Sequence, residues 1–525
     1  MTIYVKDYVT LPSDDAADAI RRAVYDAGKL GADEICFEAG IYNLRTPITL
    51  QRDMAADKEV LILIENMKNL TLRGKTDENG DPATILAGIN TMEPNPILPS
   101  ILWCEKCENL RVRDIAFTRA PEFASAGRVI GNDGKKLTVS VFGGCPCYDG
   151  METYCMNRLT PDGKLDYASL SYGQGLGTKF SLVGDRVLEL DSEKVASVVN
   201  LGELISWQQG AKTDFQCYFG HIQGLRLSNL RTYNANGFAM ITFCCRDIIA
   251  DRIIFRPRGN QLFCSPRDAW KIHKCGGSIE ISRLYVEGVR MDGQNVHSNY
   301  LFVREVISER SLIAEADSPA GDFRVSGGIE GTIEFFSGEE FVGTAELVDS
   351  VPLGKRTVNG RDLHSFRLDL RDPIDFAVGA DTLILPRCFM PESYHCRDSE
   401  FYNIAGAGHL LLISHLLIEN CRYTYIMNPG IMLGAEFPIH HEGGNCEDAV
   451  IRGCEFRNCG FEARYSTVGC IGINSAGFHK AVNHDIRIEN CRFADSDVGI
   501  DIHCARDVRI SGCVYEGLDN DLRLE

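Results

Sequence analysis

No stretch of the sequence approaches the roughly 18 consecutive apolar residues that a membrane-spanning helix requires, and this excludes an α-helical membrane protein. Positive charge is in deficit. The 54 Lys and Arg against 73 Asp and Glu leave a net charge of −19, which repels nucleic-acid backbones and anionic polymers at long range. No Gly-rich phosphate loop, HExxH or nucleophile-elbow sequence occurs, so the expectation is cofactor-free chemistry. The opening Met1-Thr2-Ile3-Tyr4-Val5-Lys6-Asp7 lacks the basic and apolar regions of a secretory signal. With Met1 taken as the natural start, the expected location is the cytoplasm.

Cysteine, by contrast, is plentiful. The 21 are odd in number and spread along the whole chain, as expected of buried thiols in a reducing compartment and not of a disulfide framework. The pairs Cys104/Cys107 and Cys145/Cys147 have the spacing of zinc ligands, but Cys104 closes the apolar run Ile101-Leu102-Trp103 and Cys107 opens the next turn. A structural role is expected for them, and no metal.

A recurring phrase decides the fold class. Alternating apolar residues are followed by Asn, Gly or Cys and then an aromatic, as in Asn109-Leu110-Arg111-Val112-Arg113-Asp114-Ile115-Ala116-Phe117 and Ile418-Glu419-Asn420-Cys421-Arg422-Tyr423. Further copies include Ile451-Arg452-Gly453-Cys454-Glu455-Phe456, Ile488-Glu489-Asn490-Cys491-Arg492-Phe493 and Ile510-Ser511-Gly512-Cys513-Val514-Tyr515. Leu225 and Ile248 are 23 residues apart and Ile486 and Val508 are 22 apart, the length of one coil of three short strands. The expectation is an all-β chain folded as a right-handed parallel β-helix, with Cys421, Cys454, Cys491 and Cys513 stacked in its interior.

Before the first coil, Ser13-Asp14-Asp15 precede Ala16, Ala19, Ile20, Ala23, Val24 and Ala27 at the spacing of one helical face. Such a helix caps the open end of a solenoid. Residues 128–215 and 305–390 lack the repeat phrase but carry alternating apolar runs and Gly turns, so each reads as an inserted β-barrel or sandwich. The expected division is 1–127 cap and first coils, 128–215 barrel, 216–304 coils with the candidate site, 305–390 second barrel and 391–525 last coils.

Chemistry concentrates between the two insertions. Asp268 and Asp292 are 24 residues apart, about one coil, which places both carboxylates at one angular position on neighbouring coils. Paired carboxylates are what acetal cleavage needs, one to activate water and one to protonate the departing oxygen. Asp capping of two turns is the competing reading.

The residues Asp268-Ala269-Trp270 with Cys275-Gly276-Gly277, then Met291-Asp292-Gly293-Gln294-Asn295-Val296-His297, resemble the active-site region of glycoside hydrolase family 110. The resemblance extends to Asn236-Gly237-Phe238, Gly406-Ala407-Gly408-His409-Leu410-Leu411-Leu412, Gly434-Ala435-Glu436 and Glu442-Gly443-Gly444. It implies an inverting α-1,3-galactosidase on a parallel β-helix with two inserted barrels. Asp268 and Asp292 match two of that family's three catalytic carboxylates, and Met291 stands where the third would be. A thioether neither donates nor accepts a proton usefully, so Glu442 is the expected substitute acid, with Glu287 as another candidate. Asn295, His297, Glu436, Arg267 and Lys271 are expected around the sugar, with Trp270 either as its stacking platform or as an aromatic stacked in the solenoid.

The resulting expectation is a glycoside hydrolase, exo-acting on α-galactosides or related short oligosaccharides, with a carbohydrate substrate, no nucleic-acid or membrane partner and possible self-association. Two alternatives stand beside it. A β-helix lyase or epimerase acting on uronates would draw on Arg256, Arg267, Lys271 and Arg290, and a non-catalytic carbohydrate-binding homologue is suggested by Met291.

Overall fold

The computed structural model describes the chain except residues 52–56, 91–97, 154, 166–177, 209–213, 317–330, 359–360, 381 and 439–440. It is a parallel β-helix whose coils run through a 20-stranded sheet, bent along its length into two faces called here the first and second sheets, and through a 13-stranded third sheet. One interior row of the first sheet runs Ile3, Ile35, Leu72, Val112, Leu227, Ala250, Ile281, Cys396, Ile418, Ile451, Ile488 and Ile510, each in register with the next. Period-2 alternation produces this row. Every second residue of a strand points inward, and parallel pairing in register places each inward side chain on its counterpart one coil away.

The repeat phrase is the bend between the first and second sheets. Asn420, Gly453, Asn490 and Gly512 all hold the left-handed conformation, with φ of 55°, 63°, 54° and 65°. Only Gly and, at lower cost than other residues, Asn adopt it routinely, which is why these two types alternate there. The next residue turns inward, so Cys421, Cys454 and Cys491 are buried while Cys513, on the last coil, is partly exposed. Two residues further on, Phe401, Tyr423, Phe456, Phe493 and Tyr515 form a continuous stack in the second sheet, with ring centroids 4.9–5.1 Å apart.

Helix Ala17–Leu30 covers the first coil with Ile20, Ala23 and Ala27 and ends at Gly31, where φ is 65°. Asp15 starts it by accepting from the Ala17 N–H, and it ties the helix to the coil through the Arg45 and Thr46 N–H groups. Cys104 and Cys107 lie in the solenoid core and Cys145 and Cys147 in that of the first insertion, so the two pairs face different interiors. Among the described residues, no helix is long and apolar enough to cross a membrane.

Departures from the regular coil leave from the two edges of the third sheet. Between its second-sheet and third-sheet edges the chain inserts an antiparallel seven-stranded sheet, from Ser125–Asn132 to Leu204–Gln208. Among the described residues this insertion is an open sheet over one core, where the sequence left barrel and sandwich both open for 128–215. After the third-sheet strand Gln294–Asn299 comes a closed six-stranded barrel, from Leu301–Ser308 to Thr382–Pro386, starting a few residues earlier than 305. Two later coils are also extended. The first-sheet row advances 22 residues from Cys396 to Ile418 and from Ile488 to Ile510, but 33 from Ile418 to Ile451 and 37 from Ile451 to Ile488.

The aromatic stack gives a stability test. Phe456→Ala removes a buried rung and should cost about 3–5 kcal/mol in urea unfolding, whereas Val514→Ala, at a half-exposed position on the last coil, should stay within about 0.5 kcal/mol. Equal effects would contradict the stack as a source of stability.

Candidate active site

The outward face of the third sheet carries, coil by coil, Trp103, Tyr218, Ile241, Lys271, Asn295, Leu410, Met432, Gly472 and Asp501. The apolar ends of this row are covered. Trp103, Tyr218 and Ile241 belong to one apolar cluster with Leu301, Leu312 and Phe335 of the six-stranded barrel. Leu410 and Met432 lie under the Tyr465 ring. Between them remain the polar rungs Lys271 and Asn295.

Asp268 and Asp292 precede these rungs on adjacent coils. Trp270 pairs with Gln294, and the Ala269 N–H donates to the Asp292 carbonyl at 3.0 Å, so the two aspartates occupy equivalent places one strand spacing apart. Both are buried, but they are held differently. The Ala407 N–H donates to Asp292 Oδ1 at 2.8 Å, and Arg464 Nη2 lies 3.3 Å from Asp292 Oδ2. Gly406 makes that bond possible: a Cβ there would come within 2.5 Å of the Met291 carbonyl carbon and 2.6 Å of Asp292 Oδ1. Asp268 has only the Asn295 amide, at 3.5 Å, and no ion-pair partner within 4 Å among the described residues. Burial, and after it the neighbouring Asp292 charge, push its carboxyl up to about 6, against a smaller opposing pull from Lys271 and Arg267.

Glu442 reaches the site from an extended coil. Residues Glu442–Gly443 pair antiparallel with Asn299 and Ser298, which brings the carboxylate beside the third sheet. Lys271 Nζ lies 3.2 Å and His297 Nε2 3.4 Å from its Oε1. Glu436 is buried next to it through a backbone bridge to Glu442. His297 Nδ1 lies 2.6 Å from the Ser298 carbonyl, an acceptor only, so this nitrogen carries the proton. Burial lowers the imidazole to about 4, so the ring is neutral at pH 7, stacked 4.4 Å from His273. His440, two residues before Glu442, lies outside the described residues.

Several expected positions fall elsewhere. Trp270 is a core residue, in register between Met240 and Gln294 on the inward row, and its Nε1–H donates to Thr242 Oγ1 at 3.3 Å. The reason is parity: Trp270 is one residue from Lys271, so it must point to the opposite face. No ring face is left for a sugar. Arg267 and Lys271 flank the Phe238 ring at 4.9 and 5.7 Å. Arg290 points into the first insertion, where Asn157 Oδ1, Ser206 Oγ and the Ser206 carbonyl accept from it, and so fastens that insertion to the coil beside Met291. Glu287 accepts from the Tyr285 hydroxyl at 2.9 Å on the second sheet, a different face from Lys271 and Asn295. His409, from the Gly408-His409-Leu410 passage, is interior and hydrogen-bonds Tyr423 at 2.6 Å.

Sequence reading missed Arg464 and Tyr465. Tyr465 lies close enough to Glu442, Asp292 and Glu436 that their charges, added to burial, raise its phenol well above the ordinary range despite Arg464. The available signal was the 37-residue step from Ile451 to Ile488, which shows a loop large enough to return to the site.

A family model for a right-handed β-helix region matches residues 391–520. Alpha-1,3-galactosidase B of Phocaeicola vulgatus is 24% identical over 246 residues, 44% of this chain and 40% of that protein. Alpha-1,3-galactosidase B of Bacteroides fragilis is 23% identical over 452 residues, 80% of this chain and 73% of its own length. Alpha-1,3-galactosidase A of Bacteroides thetaiotaomicron is 24% identical over 307 residues, 56% and 51% of the two chains. In sequence the chain is similar to these α-1,3-galactosidases. It thus spans between about two fifths and three quarters of the length of these relatives. Among solved structures, an exopolygalacturonase from Thermotoga maritima aligns over 100% of this chain and 90% of its own at 10% identity, with a TM-score of 0.40.

The raised Asp268 carboxyl makes stability depend on pH. A folded-state value of about 6 lies above the ordinary Asp value near 4, so the group's relative contribution to stability is fully present below ~4 and is lost as pH rises through about 6. Asp268→Asn removes that dependence. Its gain in melting temperature over the parent chain should therefore be larger at pH 7.5 than at pH 4.5, and equal gains at both would contradict the raised value.

Proposed function

We propose that the chain is an exo-acting glycoside hydrolase that removes a terminal α-galactosyl residue by single displacement, with Asp268 as general acid and Asp292 as general base. The observation that carries the reading is the unequal treatment of two neighbouring buried carboxylates. Asp292 accepts from an N–H and faces a guanidinium, whereas Asp268 has no cation within 4 Å among the described residues and is pushed towards its protonated form. One group able to give a proton beside one able to take a proton is what acid–base hydrolysis of an acetal requires, and the anomer of the first product tells single from double displacement.

This assignment moves the acid from Glu442 to Asp268. Glu442 faces Lys271, whose ammonium favours the carboxylate over the acid, and its place suits accepting hydrogen bonds from sugar hydroxyls. Asn295, on the rung between the aspartates and Glu442, offers an amide to the same sugar. Met291 needs no substitute in this scheme, because acid and base are both present without it.

Exo action is supported by the covered ends of the third sheet. A polysaccharide groove runs open along a solenoid axis, but here the barrel cluster closes one end and Tyr465 covers the other. A pocket of that form takes a chain end and not a chain interior. Hydrolysis is favoured over uronate lyase chemistry because Lys271 and Arg464 are both paired with site carboxylates, which offsets the positive charge a substrate carboxylate would need. The substrate class follows the α-1,3-galactosidase relatives.

The test compares an α-1,3-linked galactosyl disaccharide with an aryl α-galactoside whose phenol leaves without protonation. Asp268→Asn should lower kcat about 10²–10⁴-fold on the disaccharide and much less on the activated aryl substrate. Asp292→Asn should abolish turnover of both. In the parent chain the alkaline limb of kcat/KM should fall near pH 6, and proton NMR should show β-galactose as the first product. Binding of galactosides without turnover, unchanged by Asp292→Asn, would identify a binding protein instead, and an unsaturated product would identify a lyase.

A further inference from the structure

We propose that Arg464 is a positioning residue that orients the Asp292 carboxylate, carried to the site by a hairpin. The hairpin grows from the extended coil between Ile451 and Ile488. The Arg464 N–H donates to the Thr467 carbonyl at 2.8 Å and the Thr467 N–H to the Arg464 carbonyl at 2.9 Å, closing a two-residue turn. Its central residues are Tyr465 and Ser466, with φ of 51° and 64°. Consecutive left-handed residues are the signature of a type I′ turn, normally built from Asn and Gly. A Tyr there is strained, and strained turns persist where their surroundings hold them.

The surroundings do hold it. Asn474 Nδ2 donates to the Tyr465 carbonyl at 2.7 Å, and buried Asp501 accepts from the Val468 N–H at 2.9 Å. The Glu462 N–H donates to the Met427 carbonyl at 2.9 Å. The ring of Tyr465 packs on the Leu410 and Met432 patch, and the guanidinium lies 4.6 Å from that ring. Arg464 Nη2 also donates to the Tyr465 hydroxyl at 3.1 Å, so its planar head is fixed from one side by the phenol while it meets Asp292 Oδ2 on the other. With the Ala407 N–H on Oδ1, the carboxylate is fixed at both oxygens, and each oxygen keeps a lone pair for a water or a hydroxyl.

Arg464 also sets the local charge. The charged and titratable groups around Asp292 are Asp268 on the preceding coil, Glu442 with Lys271 beside the third sheet, the neutral His297, and Arg464 with Tyr465 on the hairpin. Met291 contributes no charge, so Arg464 is the cation that meets Asp292 directly.

The effect on turnover rests on the hydrolase reading above, whereas the hold on Asp292 does not, and the experiment separates the two. Arg464→Met and Arg464→Lys are compared with the parent chain in full length. In Arg464→Met, kcat on the α-1,3-galactosyl disaccharide should fall about 10²-fold or more with KM changed less than ~3-fold, as expected for a misplaced catalytic group. The acid limb of its rate profile should move to higher pH, because the cation 3.3 Å from Asp292 Oδ2 is gone. Arg464→Lys, which keeps the charge and loses the planar head, should hold the acid limb and recover part of kcat.

Selectively 13C-carboxyl-labelled aspartate, with Asp292→Asn for assignment, gives an activity-independent measure. The Asp292 resonance should titrate at higher pH in Arg464→Met than in the parent chain and near the parent value in Arg464→Lys. A parent-like titration in Arg464→Met overturns the proposal, as does an equal loss of kcat in both variants with an unmoved acid limb. If the parent chain turns over no α-galactoside, the hydrolase reading fails and the carboxyl titration alone decides the role of Arg464.

Discussion

The in-register stacking of one coil on the next is the constraint on which the rest of this structure depends. A parallel ladder fixes neighbouring strands about 4.8 Å apart, and the unbroken interior row from Ile3 to Ile510 shows that the register survives both large insertions. Because the register survives, residues at equivalent places in successive coils are neighbours however far apart they are in sequence. Asp268 and Asp292 are adjacent for this reason, and Ala407, more than a hundred residues later, donates to Asp292 because its coil is the next one up. The regular core is thus a ruler that sets the spacing of the candidate site residues. Its buried cysteines and stacked aromatics fill the interior of that ruler.

What the ruler cannot supply comes from its interruptions. The seven-stranded insertion and the Arg464 hairpin leave from one edge of the third sheet, and the six-stranded barrel and the Glu442 segment leave from the other. A bare third sheet would be an open strip. Flanked on both edges and covered at both ends, it becomes a pocket around Lys271 and Asn295. Arg290 shows how firmly the parts are joined, since a guanidinium buried in the first insertion is bonded next to the backbone that carries Asp292.

The fold was legible because its signals are periodic. The bend residues Asn420, Gly453, Asn490 and Gly512 recur at the one backbone position that requires a left-handed conformation, and the Cys and aromatic after them recur with it. Coil-length spacing likewise brought Asp268 and Asp292 together on paper. Facing was harder. Trp270 was read as a platform because aromatic residues near carboxylates suggest sugar stacking, yet the parity of the strand that exposes Lys271 turns Trp270 inward. Arg464 and Tyr465 carry no motif and lie in a loop whose path is set by tertiary contacts with Asn474 and Asp501, so no local pattern could point them at Asp292. The Glu442 carboxylate was identified as a site residue, but its pairing with Lys271, 171 residues away, was beyond sequence spacing.

The charge pattern of the pocket gives meaning to Met291. A third carboxylate at the partly exposed position 291, next to buried Asp268 and Asp292, would add to the repulsion that disfavours ionisation of its neighbours. With Met291 in place, two remain, and the asymmetry that separates a proton donor from a proton acceptor must come from elsewhere. Here it comes from the partners: Asp292 has a guanidinium and an N–H, while Asp268 has a single long contact to the Asn295 amide. Coupling between the two sharpens the division, since the negative charge on Asp292 is itself one of the causes that raises Asp268. The methionine therefore leaves one carboxylate fewer beside Asp268 and Asp292, and the difference between those two rests on the burial of Asp268 and on the partners of Asp292.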